Sequence, residues 1–321
     1  MFDILRRKRT LGAVESFRSS ILELAEKSHL IDPYVLGDHT AALALKTLSR
    51  VKPREPGEVS AILRRMSETV REHLQFSFAS LFIADVLEAI ASKAVDLGPR
   101  GTLESAKRAL SLIIDYISNS YNALTVNLSK TINYGSSIAL LGYSDTILRL
   151  VLSISGKLSK VNVFSYWPFM SGRRAALLLR KRGLKADVWP DIAVSQVLES
   201  TDYVIMATLG VSSEDTIVGE MGLYSLLLTA RDLGRETIAL AWSMSMRPST
   251  PPKLERVEKV DHPIERGESI HLPLFDVAPA GKVGALVTEM GIYRAPLENA
   301  AEDIYETLLK RVIGAALGGA S

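Results

Sequence analysis

Residues 137–157, SIALLGYSDTILRLVLSISGK, place a short apolar run directly before a helical pattern, and this order decides the fold. The same order recurs at 160–183, 185–200 and 202–234, and one more apolar run follows at 237–245. Short strands that alternate with helices of about a dozen residues are joined by right-handed crossovers into a parallel sheet. The sequence therefore predicts an α/β domain whose parallel sheet carries helices on both faces.

The part of the chain before residue 130 has a different pattern. Apolar residues recur there at the three- and four-residue spacing of amphipathic helices, in the stretches 13–28, 40–51, 58–74, 81–98 and 102–124. We predict a helical domain over residues 1–129 and a Rossmann-like sheet domain over residues 130–321. The segment from Met244 to His271 is rich in proline and charge and is predicted to be a surface loop after the last strand.

Composition excludes several classes of function. Hydrophobic residues make up 47% and charged residues 23%, with a net charge of +2, so the chain is an ordinary globular protein without an electrostatic case for nucleic acid as its main partner. The lack of cysteine excludes disulfides, thiolate metal sites and a cysteine nucleophile. No run is long and apolar enough for a signal peptide or a membrane span, so a cytoplasmic location and no membrane partner are expected. The basic run at 6–9 is better explained as a solvated helix start than as an RNA-binding patch, because no aromatic stacking residues accompany it.

Standard catalytic and cofactor signatures are missing from the sequence. It contains no G-x-G-x-x-G, no G-x-x-x-x-G-K-[ST] and no G-x-S-x-G. The histidines lack the spacing of metal ligands, at positions 29, 39, 73, 262 and 271. We therefore predict neither a cofactor nor a bound metal.

The ends of the predicted strands are the remaining candidate site. Each strand ends in a turn of small residues that opens a helix, at 142–145, 167–174, 190–193 and 207–210. Helix starts that converge on one sheet edge can bind an anion, which makes a phosphorylated ligand a candidate partner. The alternative is that these turns are good helix caps and nothing more, and the spacing does not separate the two.

Several ordered motifs resemble those of the translation initiation factor 2B alpha/beta/delta family. The closing segment 275–296, FDVAPAGKVGALVTEMGIYRAP, is similar to that family's Phe-Asp-x-x-Pro and Thr-Glu-x-Gly. The earlier motifs follow in the family's order, namely GYSDTI at 142–147, WPFMSGRRAALLLRKRG at 167–183, Asp191 to Ala193, and ATLGVSSEDTIVGEMG at 207–222. The resemblance implies a fold of the ribose-phosphate isomerase and CoA-transferase type. It also implies one of two functions, a regulatory subunit of the initiation factor or an isomerase of methylthioribose 1-phosphate or ribose 1,5-bisphosphate.

The residues that the family's isomerases use are replaced in this sequence. By motif, Gly142 stands at the catalytic cysteine and Leu209 at the catalytic aspartate, while Trp167 stands at a phosphate-binding arginine. Further substitutions at ligand-facing positions are Gly219 and Glu220 for an Asn-Lys pair and Leu36 for an arginine. The family's scaffold positions are retained at Gly172, Asp191, Gly222, Asp276, Thr288, Glu289 and Gly291.

Four charged side chains near the predicted strand ends have more than one interpretation. Arg173 and Arg174 follow Gly172 at a helix start and could bind a phosphate, form a subunit interface or face solvent. Asp145 and Asp191 could act as general bases, but both stand where helix N-caps belong and are predicted to be caps. Gly172, Arg173 and Arg174 therefore remain a candidate anion-binding set.

Together these observations predict a non-catalytic, initiation factor 2B-like regulatory or binding protein with a degenerate sugar-phosphate pocket. The predicted lining of that pocket is Gly142, Trp167, Leu209, Gly219, Glu220 and Asp191. Trp167 and Leu209 are expected to be buried against each other or against the helical domain. The predicted partners are further copies of the chain through the C-terminal domain, with initiation factor 2 and a phosphorylated small ligand as candidates. The alternative function is a sugar-phosphate aldose-ketose isomerase acting on a compound such as ribose 1,5-bisphosphate.

Overall fold

The structure, a computed structural model, describes residues 2–26, 33–53, 55, 57–141, 144–165, 171–251, 257–261, 269–273 and 275–318. The chain forms two compact units, one from Met1–Ser120 with Tyr305–Ser321 and one from Tyr121–Ile304. The predicted division of the chain between residues 129 and 130 stays a prediction. No helix within the described ranges is both long and apolar enough to cross a membrane.

The first unit is helical. Its helices are α1 (Phe2–Glu26), α2 (Pro33–Leu48), α3 (Glu58–His73), α4 (Phe78–Lys93) and the first part of α5 (Gly98–Thr131). Helix α4 is its centre, because residues on most of its surface are buried and Ser77 caps its start by accepting a hydrogen bond from the Ser80 N–H. The fully buried Phe82 of α4 meets the ring of Tyr305 edge-on, with the ring centroids 5.9 Å apart.

The second unit follows the strand–helix alternation that the sequence predicts. Its elements are β1 (Ser136–Leu141), α6 (Asp145–Ser153), β2 (Leu158–Ser165), α7 (Ser171–Lys181), β3 (Ala186–Pro190), α8 (Val194–Leu198), β4 (Tyr203–Ser212), β5 (Thr216–Glu220), α9 (Leu223–Asp232), β6 (Glu236–Leu240), β7 (Met246–Arg247), β8 (Val257–Asp261), β9 (Ser269–Pro273), β10 (Phe275–Pro279), β11 (Ala285–Val287), β12 (Ile292–Arg294) and α10 (Glu298–Ala316). Helix α10 continues into the first unit.

The main sheet has the order β12-β11-β6-β4-β1-β2-β3. All neighbouring strands are parallel except the edge pair β11 and β12. The chain moves outward from β1 to β3 and then returns to β4, so the strand order reverses between β1 and β4. The predicted α/β fold, with a helical N-terminal part and a mostly parallel sheet, is confirmed.

Strand β4 belongs to two sheets. Its first half pairs with β1 and β6, and its second half pairs antiparallel with β5 and parallel with β7. Strand β10 adds to the other edge of β5 and completes a small sheet. The register with β5 shifts between Thr208 and Gly210, which places a β-bulge at Leu209.

Two predictions about the C-terminal part were wrong. The last strand is not at 237–245, because β11 joins the main sheet beside β6 and β12 closes its edge. The segment from Met244 to His271 is not wholly a loop, because β8 and β9 form an antiparallel pair. In both cases strands of three to five residues escape detection, because they are too short to show a clear period and depend on their pairing rather than on their own pattern.

Candidate functional site

The candidate site lies at the carboxyl ends of β1 and β4, where the strand order reverses. In open parallel sheets ligands bind in the crevice outside such a switch point. Gly142, which follows β1, lies outside the described residues. On the other side of the crevice, β4 brings Leu209 to the point where the main sheet ends and the small sheet begins.

Leu209 is the residue of the β-bulge. Thr208 pairs with Gly219 and Gly210 pairs with Val218, which leaves Leu209 between them without a partner residue on β5. Bulges near active sites aim a side chain away from the regular sheet, but this side chain is only 8% exposed and is apolar. The Thr208 hydroxyl donates to the Leu240 carbonyl oxygen at 3.1 Å and fixes the bulge to β6. Leu209 is buried as expected, whereas its predicted contact with Trp167 lies outside the described residues.

Gly219 and Glu220 are the last two residues of β5, just before the turn to α9. A side chain at Gly219 would place its Cβ 3.0 Å from Leu223 Cδ2 and 3.2 Å from the Ala207 carbonyl oxygen. An asparagine at this position would therefore require its neighbours to move. Glu220, half-buried, is the negative side chain that follows. This end of β5 lies beside the bulge, since Gly219 pairs with Thr208.

Gly222 and Asp276 position α9 from two sides. Gly222 precedes the helix with a φ of 93°, a left-handed conformation that favours glycine. Asp276, on β10, accepts a hydrogen bond from the Tyr224 N–H at 2.9 Å and so supplies an acceptor to the first turn of the helix. These two scaffold residues therefore have structural roles.

Gly172 has a packing role at the start of α7. A Cβ at this position would lie 2.2 Å from the Phe164 carbonyl oxygen and 2.8 Å from its carbon, so only glycine lets the helix approach β2 this closely. Arg173 and Arg174 are exposed. With Arg180 they border a groove of about 800 Å³, whose lining includes Leu177 and Asp191. The anion-binding role of this set stays a prediction.

The predicted capping roles of Asp145 and Asp191 were wrong. The N-cap of α6 is Ser144, which has extended backbone angles and accepts from the Ile147 N–H at 3.3 Å, so Asp145 is the first residue inside the helix. The short 3₁₀ turn that follows β3 has Pro190 before it and no side-chain cap. Asp191 is exposed at the end of β3, three strands from β4, or roughly 14 Å at the usual strand spacing. It is therefore not brought together with Leu209.

Leu36 stands where the isomerases resemble one another in having an arginine, and it is buried in α2 of the first unit.

A buried carboxylate that sequence reasoning treated as scaffold joins two strand ends. Both oxygens of Glu289 accept from the Ser243 N–H at 3.1 Å, and the Ser243 hydroxyl donates to the same carboxylate. The bond links the segment after β6 to the segment after β11, with Glu289 only 8% exposed. Burial, and then the Glu289 charge, raises the pKa of the Tyr293 phenol, which therefore stays protonated. The Thr-Glu-x-Gly motif was the signal for Glu289, but nothing in the sequence indicated Ser243.

Thr288 and Gly291, the other residues of that motif, form a tight turn. The Thr288 N–H donates to the Gly291 carbonyl oxygen at 2.9 Å, and its hydroxyl accepts from the Met290 N–H at 3.0 Å. The motif thus orients Glu289. In the part of the chain that the structure describes, no group of three His, Asp or Glu side chains could hold a metal ion.

Comparisons with known proteins agree with this architecture. The model of the Initiation factor 2 subunit family matches residues 100–295. Translation initiation factor eIF2B subunit alpha of Dictyostelium discoideum is 26% identical over 181 residues, which cover 51% of this chain and 56% of that subunit. Methylthioribose-1-phosphate isomerase of Pseudomonas fluorescens is 24% identical over 250 residues, 73% of this chain and 66% of that enzyme.

The structural match is longer. A chain of the tetrameric eIF2B-beta2-delta2 complex from C. thermophilum superposes with a TM-score of 0.71 at 14% identity, over 92% of this chain and 95% of that one. At this identity the match shows the fold alone. In sequence, the chain spans little more than half the length of the curated subunit that it matches, at 56%. The family model covers more than half of this chain, at residues 100–295, and so this chain belongs to the initiation factor 2 subunit family.

Proposed function

We propose that this protein is a non-catalytic, initiation factor 2B-like regulatory or binding subunit with a degenerate sugar-phosphate pocket. The observation that carries the proposal is the buried Leu209 at the bulge of β4, where the switch point would need a proton-transferring group. Moving hydrogen between adjacent carbons of a sugar needs an acid and a base within hydrogen-bond reach of the substrate. A leucine provides neither.

The other described groups around the strand ends support the same conclusion. The Glu289 carboxylate is buried and bonded to Ser243, and so is not presented to a ligand. A larger residue at Gly219 would require its neighbours to move, and the negative Glu220 next to it repels a phosphate. The alternative, a sugar-phosphate isomerase, is favoured by the similarity to methylthioribose-1-phosphate isomerases and would need a rearranged set of catalytic residues.

Incubation with methylthioribose 1-phosphate or with ribose 1,5-bisphosphate should give no ketose above background. NMR of the sugar carbons measures the conversion, and the Pseudomonas fluorescens isomerase, run in parallel on methylthioribose 1-phosphate, is the positive control. Turnover at an ordinary enzymatic rate, about 1 per second or faster, would establish the isomerase instead.

The proposal includes assembly into a homodimer or higher homo-oligomer through the second unit. Tyr224 and Leu228 are 38% and 36% exposed on one face of α9, and Val277, on the adjacent β10, is 47% exposed. Several exposed apolar residues on neighbouring elements are typical of interfaces. The related chain from C. thermophilum was solved in a tetrameric complex. We therefore propose the α9–β10 face as the contact between copies.

The acidic stretch 213–220 is opposite in sign to Arg173 and Arg174, so the sequence also predicts a two-fold contact between them, but this contact has weaker support than the apolar face. Asp215 already accepts from the Gly281 N–H at 2.6 Å, and Glu214 accepts from the Thr250 N–H at 2.9 Å. Both carboxylates are thus used within the chain. A contact between these carboxylates in one copy and the arginines in another copy would therefore contribute specificity more than affinity.

Light scattering coupled to gel filtration at micromolar concentration should give a mass of at least twice the 35.1 kDa of one chain. Glutamate in place of both Leu228 and Val277 should reduce the mass to that of one chain, because charges in an apolar interface are costly to bury. A matched double variant on another surface, Val126→Glu with Leu97→Glu, should keep the wild-type mass, since both side chains are about half exposed elsewhere. A wild-type mass near one chain would remove the proposed assembly.

The regulatory role further implies a cytoplasmic location and a partner. The name of the Dictyostelium relative suggests initiation factor 2 as the first partner to test. Affinity capture of purified initiation factor 2 by the immobilised protein tests this interaction directly. A phosphorylated small ligand in the degenerate pocket remains the second candidate partner.

A further inference from the structure

A groove beside α7 lies apart from the switch point. It runs along the outer side of α7, next to the end of β2 and to the edge strand β3. Its volume is about 800 Å³, and its lining includes Leu177, Val188 and Pro190. A groove of this size and apolar content is large enough to take several side chains of a ligand.

The rim of the groove is strongly basic. Residues 171–185 contain six cations and no acidic residue, while the whole chain carries a net charge of only +2. The rest of the chain is therefore net acidic. Three of the six cations, Arg173, Arg174 and Arg180, line the groove together with one acidic residue, Asp191. All six cations are exposed, namely Arg173, Arg174, Arg180, Lys181, Arg182 and Lys185.

The charges extend along the groove rather than surround one point. Arg173 and Arg180, which both line the groove, are seven residues apart on α7, a rise of about 10 Å along the helix axis, and Lys181 follows directly. A single phosphate group contacts at most the cations at one end. An extended anion contacts both ends at once, so the spacing favours a chain of negative charges.

Aliphatic side chains are exposed between and beside the cations. Leu177 is 51% exposed on α7, and Ile192, just after β3, is 91% exposed. Exposed single aliphatic residues are common on protein surfaces. Here Leu177 also lines the groove, so the basic surface contains an apolar contact for a ligand.

The edge of β3 is blocked against strand addition. The Arg180 Nε–H donates to the Ala186 carbonyl oxygen at 2.6 Å, and Ala186 is buried. Pro190, the last residue of β3, has no N–H to donate. Two of the backbone positions on this edge are thus unavailable, which favours binding through side chains over an added strand.

We propose that this groove, which we call the α7 groove, binds an acidic peptide segment of a partner protein that carries aliphatic side chains. Carboxylates of the segment would pair with the arginines and lysines of the rim, and a leucine-like side chain would contact Leu177 and Val188. This function does not depend on whether the switch point is catalytic.

RNA is the competing polyanion, and the described lining of the groove suits it less well. Binding of single strands without sequence preference relies on bases stacked on aromatic side chains, and no aromatic residue is among the described residues that line the groove. The nearby Trp189 is half-buried, donates its indole N–H to Asn162 at 3.0 Å and lies under the Lys160 ammonium. Its ring is thus already in contact with other groups.

Fluorescence anisotropy with the full chain tests the proposal. The probe is a short labelled peptide of glutamates with a leucine at every third position, compared with an all-glutamate peptide and with labelled oligouridine of equal length. We expect the leucine-containing peptide to bind most tightly and its binding to weaken as salt is added. The double variant Arg173→Glu with Lys181→Glu should weaken its binding about tenfold or more, the equivalent of about 1.4 kcal/mol.

Two controls separate the α7 groove from general charge effects. Lys130→Glu with Arg294→Glu makes the same charge change at exposed positions elsewhere and should alter binding less than about twofold. Leu177→Ser should abolish the preference for leucine-containing over all-glutamate peptide while leaving the salt dependence unchanged. Circular dichroism and thermal melting confirm that each variant is folded. Equal losses in the two double variants, tighter binding of oligouridine, or no peptide binding would each overturn the proposal.

Discussion

Replacing Gly172 by alanine is expected to lower the free energy of unfolding by about 2–3 kcal/mol. The added Cβ would lie 2.2 Å from the Phe164 carbonyl oxygen and 2.9 Å from Ser165 Cα, distances that no side-chain rotation can relieve because both atoms belong to the backbone. The start of α7 must then move away from β2. Urea unfolding followed by circular dichroism at constant protein concentration measures the loss.

Gly314→Ala is the matched control for this substitution. Gly314 lies within α10, and nothing would lie within 4 Å of an added Cβ. Alanine should raise the unfolding free energy there by up to about 1 kcal/mol, because it has the higher helix propensity. Opposite signs for the same chemical change would show that the effect arises from the contact with Phe164. A Gly172→Ala variant within about 0.5 kcal/mol of wild type would contradict the close approach.

The central strands of the main sheet could be predicted from the sequence because they are buried on both faces. Parallel strands covered by helices are continuous apolar runs, and β1, β2, β4 and β6 all contain such runs, although the turn of small residues predicted at 207–210 lies inside β4. Burial of Ile138, Val163 and Met206 agrees with that pattern. Local sequence and buried position both favour a strand here, so the local pattern is sufficient to predict the strand.

The small sheet could not be predicted in this way. Strand β10 contributes Val277, 47% exposed, opposite the buried Val218 of β5, and the two residues are far apart in the chain. Strands of five residues that include proline or glycine have no clear period. Their pairing is decided by the bulge in β4, which redirects that strand out of the main sheet. A register shift of this kind has no local sequence signal.

The candidate site was partly predictable for a related reason. The motif located Leu209 on the correct strand, because the motif is contiguous in sequence, but the expected acidic turn at Gly219 and Glu220 is the end of strand β5. The bond between Glu289 and Ser243 joins residues 46 positions apart and was not predicted. The cap of α6 was assigned one residue too late, because serine and aspartate both stand there and only the backbone angles identify Ser144.

Leu209→Asp is expected to have the largest effect, a loss of about 3–5 kcal/mol of unfolding free energy. Part of this is the burial of the leucine side chain, about 1.5–3 kcal/mol. The remainder is the cost of placing a polar group away from water without a partner, about 1–3 kcal/mol on mutational scales. Thermal and urea unfolding measure the loss, with Leu209→Met as the conservative variant expected to cost less than about 1.5 kcal/mol.

Leu22→Asp supplies the matched control, because it makes the same chemical change at a leucine that is 39% exposed on α1. It should cost no more than about 1 kcal/mol, the sum of a small propensity difference and partial apolar exposure. If Leu209→Asp costs as little as Leu22→Asp, the bulge is open to water and the switch point has room for a ligand. If that variant also converts methylthioribose 1-phosphate, one residue at the bulge separates this chain from an isomerase. A large loss without activity would instead mean that the end of β4 is built as packed core.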